Sequence, residues 1–295
     1  MNEKVFDKVS KHIISLPALP SIVARLLTLI DDPKSSARGI SKLISSDQAI
    51  TAKLLRVANS SYYAFRNEIN SVKLAVALLG LDTVLNIVLS VSLNRNLNSF
   101  NYDDDFDMIM FWEHSLSVGI VGKMLATQFS IENKEEIFTI GILHDIGKLI
   151  IHEYLHDFYL EIEEVLNKKE ISLLEVEKRV MQTDHSEIAS VLCKSWNLPA
   201  RITKSVERHH RINPQEEDSS QIKCDCIINF SNYLVNRKGK DYPKIDQKFH
   251  KFDKRILNFL ALKKNDKENI DINYYLDKAT DELEKARDFI NLLKT

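Results

Sequence analysis

No proline interrupts the chain from Lys34 through Leu198, and the whole sequence of 295 residues holds only six prolines and seven glycines. A β-sandwich or an α/β sheet of that length needs many tight turns, and turns draw on these two residues because one presets φ and the other tolerates positive φ. The span without prolines therefore predicts helices joined by short connections, and the fold class expected is all-α. The few prolines stand where helices should stop or start: Pro17 and Pro20 in Leu16-Pro17-Ala18-Leu19-Pro20, Pro33 after Asp31-Asp32, and Pro199 after Leu198.

Apolar residues recur at helical spacing through most of the chain. Ile22, Val23, Leu26, Leu27, Leu29 and Ile30 form one stripe; Ile40, Leu43 and Ile44 form the next, on a helix expected to begin near Ser36. Asp47 is placed to cap a helix carrying Ile50, Leu54, Leu55 and Ala58; Ser71 opens one that ends at Gly80, and Asp82 caps its successor through Leu97. The acidic stretch Tyr102-Asp103-Asp104-Asp105-Phe106-Asp107 reads as a solvated connector, since it lacks the glycine and terminal glutamate of a calcium loop. It divides an N-terminal helical subdomain, 1–98, from a second helical domain, 108–295. In the latter, helices are expected over Met108–Phe129, then 134–143, 145–154, 156–168, 171–182, 185–196, 200–210, 221–237 and 270–293, with loops at 238–251 and 263–269.

Several function classes are disfavoured. The formal net charge of −2, with acidic and basic residues interspersed, gives no support to nucleic-acid binding. The longest uncharged apolar stretch, around Val84–Leu93, falls far short of the about 20 residues a membrane span needs. The N-terminus carries charge at once, with no apolar core behind it, so no secretion signal is expected. Cys193, Cys224 and Cys226 are an odd number without a disulfide framework, which fits a reducing cytoplasm; Cys224-x-Cys226 lacks the second pair a structural zinc site needs.

Five of the nine histidines fall at or near expected helix termini or faces: His114, His144, His185, His209 and His210. His144-Asp145 lies in Leu143-His144-Asp145-Ile146-Gly147-Lys148 behind the apolar run Ile140-Gly141-Ile142, which would bury the pair. His156-Asp157 has no such setting. Imidazole and carboxylate both ligate divalent transition metals, and Lys148, one turn on from His144, could meet a phosphate oxygen beside such an ion. Each position also has a plainer reading: His114 as a hydrogen-bonded core histidine, Asp184 in Asp184-His185-Ser186-Glu187 as a helix cap, and His209-His210 at a helix C-terminus favoured by the dipole.

The order of these residues resembles the HD superfamily of metal-dependent phosphohydrolases, and the chain is similar to HDOD-domain proteins, the related family of bacterial signalling. The resemblance covers roughly residues 13–235. It rests on Leu16–Pro20, Ser46-Asp47-Gln48 through Asn59-Ser60, Ala75–Gly80, Trp112-Glu113-His114-Ser115, Leu143–Lys148, Asp184–Ala189, Trp196-Asn197-Leu198-Pro199 and His209-His210. It implies a multi-helical HD-like bundle with an N-terminal helical subdomain, and metal ligands at His114, His144, Asp145, His185, His209 and His210. The metal would be divalent: Fe, Mn, Ni or Zn.

The sequence departs from the active phosphodiesterases of this superfamily in three places. Asn232, in Ile227-Ile228-Asn229-Phe230-Ser231-Asn232, stands where they carry an aspartate; Met110 stands where a glutamate precedes the first histidine; and Arg211-Ile212-Asn213-Pro214 replaces their Gly-Tyr-Pro element. An amide carbonyl brings no charge to offset an ion, so metal binding should weaken and a two-metal centre is disfavoured. Two functions follow. One is a regulatory signalling module with a degenerate metal pocket, acting through contacts with signalling or regulatory proteins or a nucleotide-like ligand. The other is a metal-dependent phosphohydrolase acting on a nucleotide or cyclic dinucleotide, with Asp145 holding the ion and Lys148 stabilising phosphate charge.

Overall fold

A computed structural model describes residues 19–31, 37–97, 106–212, 219–238 and 270–294, together with 256, 259–260 and 262–265. Residues 1–18, 32–36, 98–105, 213–218, 239–255, 257–258, 261, 266–269 and 295 lie outside it, and with them Leu16 through Ala18, Pro33, most of the acidic connector, Asn213-Pro214 and most of the expected loops 238–251 and 263–269. Among the described residues there is no β-strand, and the one backbone bridge, between Lys264 and Ile270, is isolated. The all-α expectation holds. Among those residues, no helix is long and apolar enough to cross a membrane.

The chain divides into two compact units. The first takes those of residues 17–101 and 284–295 that are described and contains α1 (Ser21–Asp31), α2 (Ala37–Ser45), α3 (Gln48–Ala58), α4 (Val72–Leu79) and α5 (Leu81–Leu97). Asp47 caps α3 by accepting the Ile50 N–H at 3.0 Å, and Ser71 caps α4 by accepting that of Leu74 at 3.3 Å. Gly80 ends α4 with φ +85°, a conformation closed to most side chains, and α5 starts on the next residue. Asp82 consequently sits in the first turn of α5, not at its cap; the glycine turn leaves no room for a separate capping residue. Leu26, Ile44, Leu54, Val57, Ile87 and Val88 form the core.

The second unit, residues 102–283 among those described, holds α6 (Met108–Gln128), α7 (Lys134–Leu143), α8 (Ile146–Tyr154), α9 (His156–Lys168), α10 (Leu173–Met181), α11 (His185–Ser195), α12 (Ala200–Arg208), α13 (Ser219–Arg237) and most of α14 (Ile272–Lys285). Helix α6 is the central element, packed against α7 and α13, while α11 packs on α8 and α12. The α6–α7 crossing is so close that a Cβ on Gly141 would stand 2.4 Å from Gly119 Cα. That approach seats His114 of α6 beside the end of α7.

The single C-terminal helix expected over 270–293 is two helices, α14 and α15 (Arg287–Leu293), parted at the buried Ala286. Their apolar residues explain the break: Tyr275, Ala279 and Leu283 are buried on α14, whereas Phe289, Ile290 and Leu293 are buried on α15, which packs against α3 and α5. Residues 284–295 therefore group with the N-terminal unit, where the sequence reading kept 108–295 together.

Candidate metal centre

His144 and Asp145 occupy the junction between α7 and α8, which lets adjacent side chains converge instead of diverging as they would within a helix. The neighbouring Gly147 has no room for a side chain: its Cβ would fall 1.9 Å from the His185 carbonyl oxygen, so the start of α8 lies directly on the start of α11. Asp184 caps α11, accepting the Glu187 N–H at 3.0 Å, and takes an ion pair from Arg211 at 2.5 Å. The cap reading of Asp184 is thus the one observed. His209 and His210 follow the last turn of α12.

All six expected ligands meet around the Asp145 carboxylate. Oδ2 lies 3.4 Å from His114 Nε2 and 3.3 Å from His144 Nε2; Oδ1 lies 3.2 Å from His185 Nε2 and 3.5 Å from His209 Nε2. His210 Nε2 is 2.9 Å from His185 Nε2. Two groups with metal-binding spacing result, His114–His144–Asp145 and Asp145–His185–His209–His210, with Asp145 common to both. His144, His185 and His209 are fully buried, and His210 is half-buried. Lys148, at the inner end of α8, donates from Nζ to Asp145 Oδ2 at 2.7 Å.

The outer nitrogens fix how these rings are protonated. His144 Nδ1 faces the Gly141 carbonyl at 2.7 Å and His209 Nδ1 the Val206 carbonyl at 2.7 Å; a carbonyl only accepts, so both Nδ1 atoms carry the proton. His185 Nδ1 donates to Glu177 Oε2 at 2.7 Å, and the same oxygen accepts the His185 backbone N–H at 3.1 Å. With Nδ1 protonated on each, the inward Nε2 atoms of neutral rings present lone pairs. His185 and His209 point theirs at one another across 3.4 Å. Such a contact is repulsive unless a proton or a cation sits in the gap, and this outer-atom arrangement is the one that orients histidine ligands to metals.

Electrostatics agree. Burial drives His144 down to about 3, and it lowers His209 as well, so both are neutral. For Asp145 burial alone would raise the carboxyl, but the Lys148 ammonium at 2.7 Å and a hydrogen bond from His114 hold it well below the usual range. His185 is opposed by burial too, yet the Glu177 carboxylate and the hydrogen bonds to Asp145 and Glu177 raise it to about 10. A proton on His185 occupies the gap when no ion does. The donor set, imidazoles with one carboxylate and no thiolate, fits a divalent transition ion, and the residues that would hold it are those of the two groups.

Glu177 was not foreseen from the sequence. It is 1% exposed on α10, and its signal was available: Leu173, Glu177 and Met181 recur at i, i+4 and i+8, which puts a carboxylate in the buried stripe of an amphipathic helix. Helix α13 carries the buried amides of Asn229 and Asn232. Asn229 donates from Nδ2 to the His209 carbonyl at 2.8 Å, and Asn232, one turn on and 2% exposed, has a buried Oδ1 without a hydrogen-bond partner. Met110, half-buried in the first turn of α6, carries a soft, neutral thioether and no charged oxygen. The cysteines, all buried, are free thiols.

A helical scaffold closed around a histidine–aspartate cluster is the class of protein that fold and site define. Residues 16–212 match the HDOD domain, and the chain belongs to that family. It is similar to an HDOD domain protein of unknown function from Geobacter sulfurreducens, with 21% identity and a TM-score of 0.76 over 99% of each chain. It is also similar to a protein of Shewanella amazonensis that bears a provisional phosphohydrolase name, with 22% identity and a TM-score of 0.72 over 97% of this chain and 98% of that one. At these identities the likeness is one of fold. An uncharacterised protein of Treponema pallidum is 23% identical over 260 residues, 88% of this chain; the chain spans about half the length of that relative, 48%.

Proposed function

We propose that this chain is a regulatory module of signal transduction in which the His–Asp cluster holds one divalent transition ion and does not turn over a phosphoester. The observation that carries the reading is the closure of the cluster together with the chemistry of α13. His114, His144, Asp145, His185 and His209 are each at most 1% exposed, so a substrate has little access to the atoms that would act on it. Asn229 and Asn232 add no anionic ligand. Bound there, a divalent ion supplies Lewis-acid polarisation, but in a closed shell its first effect is to fix α6, α8, α11 and α12 to one another. Asp145 orients the imidazoles, Glu177 holds His185 to one tautomer, and Lys148 offsets the charge of Asp145. Output would pass through protein contacts.

The test is metal analysis of the purified full chain beside Asp145→Asn, combined with a screen of nucleotide and cyclic dinucleotide phosphoesters on samples loaded with manganese, iron, nickel or zinc. The expected result is bound metal in the parent, loss in Asp145→Asn, and no turnover. Turnover that Asp145→Asn abolishes would establish the phosphohydrolase reading instead. A parent that neither retains nor takes up metal would leave the cluster as hydrogen-bonded packing.

A further inference from the structure

Where α11 gives way to α12, a pocket of about 570 Å³ opens to solvent. The chain turns there at Asn197, whose φ of +54° lies in the left-handed region, and Leu198 donates its N–H back to the Cys193 carbonyl at 3.1 Å. Ala200, Thr203, Lys204, Glu207 and Arg208 line the pocket at i, i+3, i+4, i+7 and i+8, one face of α12, and Lys194 of α11 joins them. None of these residues belongs to the His–Asp cluster. Lys194 lies 3.6 Å from Glu207, while Lys204 and Arg208 stand one helical turn apart as like charges, a spacing that disfavours the helix. With three cations against one carboxylate, the lining carries a formal excess of two positive charges. Thr203 is 4% exposed, and its Oγ1 has no hydrogen-bond partner among the described residues. Helix α12 also starts behind Pro199 without a side-chain cap for its first-turn N–H groups.

We propose that this pocket binds a small phosphate monoester with an apolar body. Its volume falls within the about 300–1,000 Å³ of small-ligand sites. A phosphate monoester carries about −1.5 to −2 charge at neutral pH, which matches the excess of the lining, and its oxygens suit both the planar fork of an arginine and the point charge of a lysine. Held between Lys204 and Arg208, it replaces their mutual repulsion by attraction. A buried hydroxyl without a partner carries a desolvation cost, and Thr203 gives up no protein bond in turning its Oγ1–H toward a ligand oxygen. Leu198, Ala200 and the methylene stems of the two lysines offer apolar surface to the rest of the molecule. A neutral ligand leaves the charge excess unmatched, and a cation adds to it. The site takes no metal and goes beyond the regulatory reading of the cluster, on which it does not depend.

The test is calorimetric titration of 1-naphthyl phosphate into the full chain, as purified and again after metal is stripped with EDTA and the chelator removed. 1-Naphthol, inorganic phosphate and an oligoglutamate peptide are titrated alongside. The expected result is saturable binding of one molecule per chain in both samples, at least about tenfold tighter than 1-naphthol or inorganic phosphate and weakening as sodium chloride is raised. Lys204→Glu, at an exposed position, reverses a charge on the pocket wall and should weaken binding at least about tenfold, whereas Lys42→Glu on α2, the same change outside the pocket, leaves it within about twofold. Thr203→Val should weaken it about threefold without lowering the thermal midpoint, because the hydroxyl bonds nothing in the free chain. The proposal is overturned by absence of saturable binding, by 1-naphthol binding as tightly as its phosphate, or by undiminished binding in Lys204→Glu. Tighter binding of the oligoglutamate peptide overturns it in favour of an acidic protein partner, and binding confined to metal-holding chain places the phosphate on the cluster instead. Metal content read on the same samples keeps the two ideas apart, since a chain that holds metal and binds no phosphate defeats the pocket alone.

Discussion

Replacing Glu177 removes nothing that would itself touch a metal ion, yet it should change how tightly the cluster holds one. Its Oε2 accepts two hydrogen bonds from a single residue, the His185 Nδ1–H at 2.7 Å and the His185 N–H at 3.1 Å. Glutamine can keep one carbonyl acceptor there but not the charge. Hydrogen bonds to charged groups contribute about 1.5–3 kcal/mol against about 0.5–1.5 for neutral ones, so Glu177→Gln gives up roughly 1–1.5 kcal/mol. If that loss falls on the metal-bound state it corresponds to about tenfold in affinity. Glu177→Ala goes further, because the buried Nδ1–H is left with no acceptor and the ring loses its orientation; removal of such an outer partner costs up to about 100-fold. Competition against a chromophoric chelator reads the affinities, and thermal midpoints in EDTA separate metal binding from folding. If both variants stay folded and bind metal within threefold of the parent, His185 does not ligate through Nε2 and the arrangement argued from its tautomer is wrong.

Gly147→Ala places a methyl carbon where only 1.9 Å separates it from the His185 carbonyl; α8 and α11 must part, with an expected loss of at least about 1–3 kcal/mol in thermal or urea unfolding together with weaker metal retention. Asn232→Asp should raise metal retention after dialysis while lowering the midpoint of the metal-free protein, since a carboxylate replaces a buried amide; unchanged metal content would mean that α13 does not face the ion. Cys193, whose thiol burial pushes up to about 12, and the buried Cys224 and Cys226 should all resist a thiol reagent at pH 8 until denaturant is added, and rapid native labelling of any of them would contradict their burial.

The legible part of this molecule was written in local signals. Asp47 and Ser71 announced the helix starts they cap, and the apolar approach to His144 announced burial of the pair. That these histidines would gather was expected from family resemblance, which no local signal could replace, because His114 and His210 both approach Asp145 from elements nearly a hundred residues apart. What stayed hidden was tertiary. Ala286 carries no helix-breaking chemistry, and the chain parts there because residues on either side bury against different partners. Asp82 looked like a cap until Gly80 took the turn. Glu177 stood in the stripe of Leu173 and Met181, but a glutamate on an amphipathic helix is ordinarily solvent-facing, and its bonds to the His185 ring and N–H are what explain its burial.

The charges around Asp145 also bear on how many ions the cluster can take, given that its ligands form two groups. Without metal, the carboxylates of Asp145 and Glu177 are balanced by Lys148 and the protonated His185. One divalent ion bound through His185 Nε2 would displace the proton there and leave an excess of one positive charge. A second ion has no such proton to displace at His144, which is already neutral. It would raise the excess to three charges among side chains at most 1% exposed, where uncompensated charge is most costly. Because the two groups share Asp145, we expect them to take up one ion between them and not two.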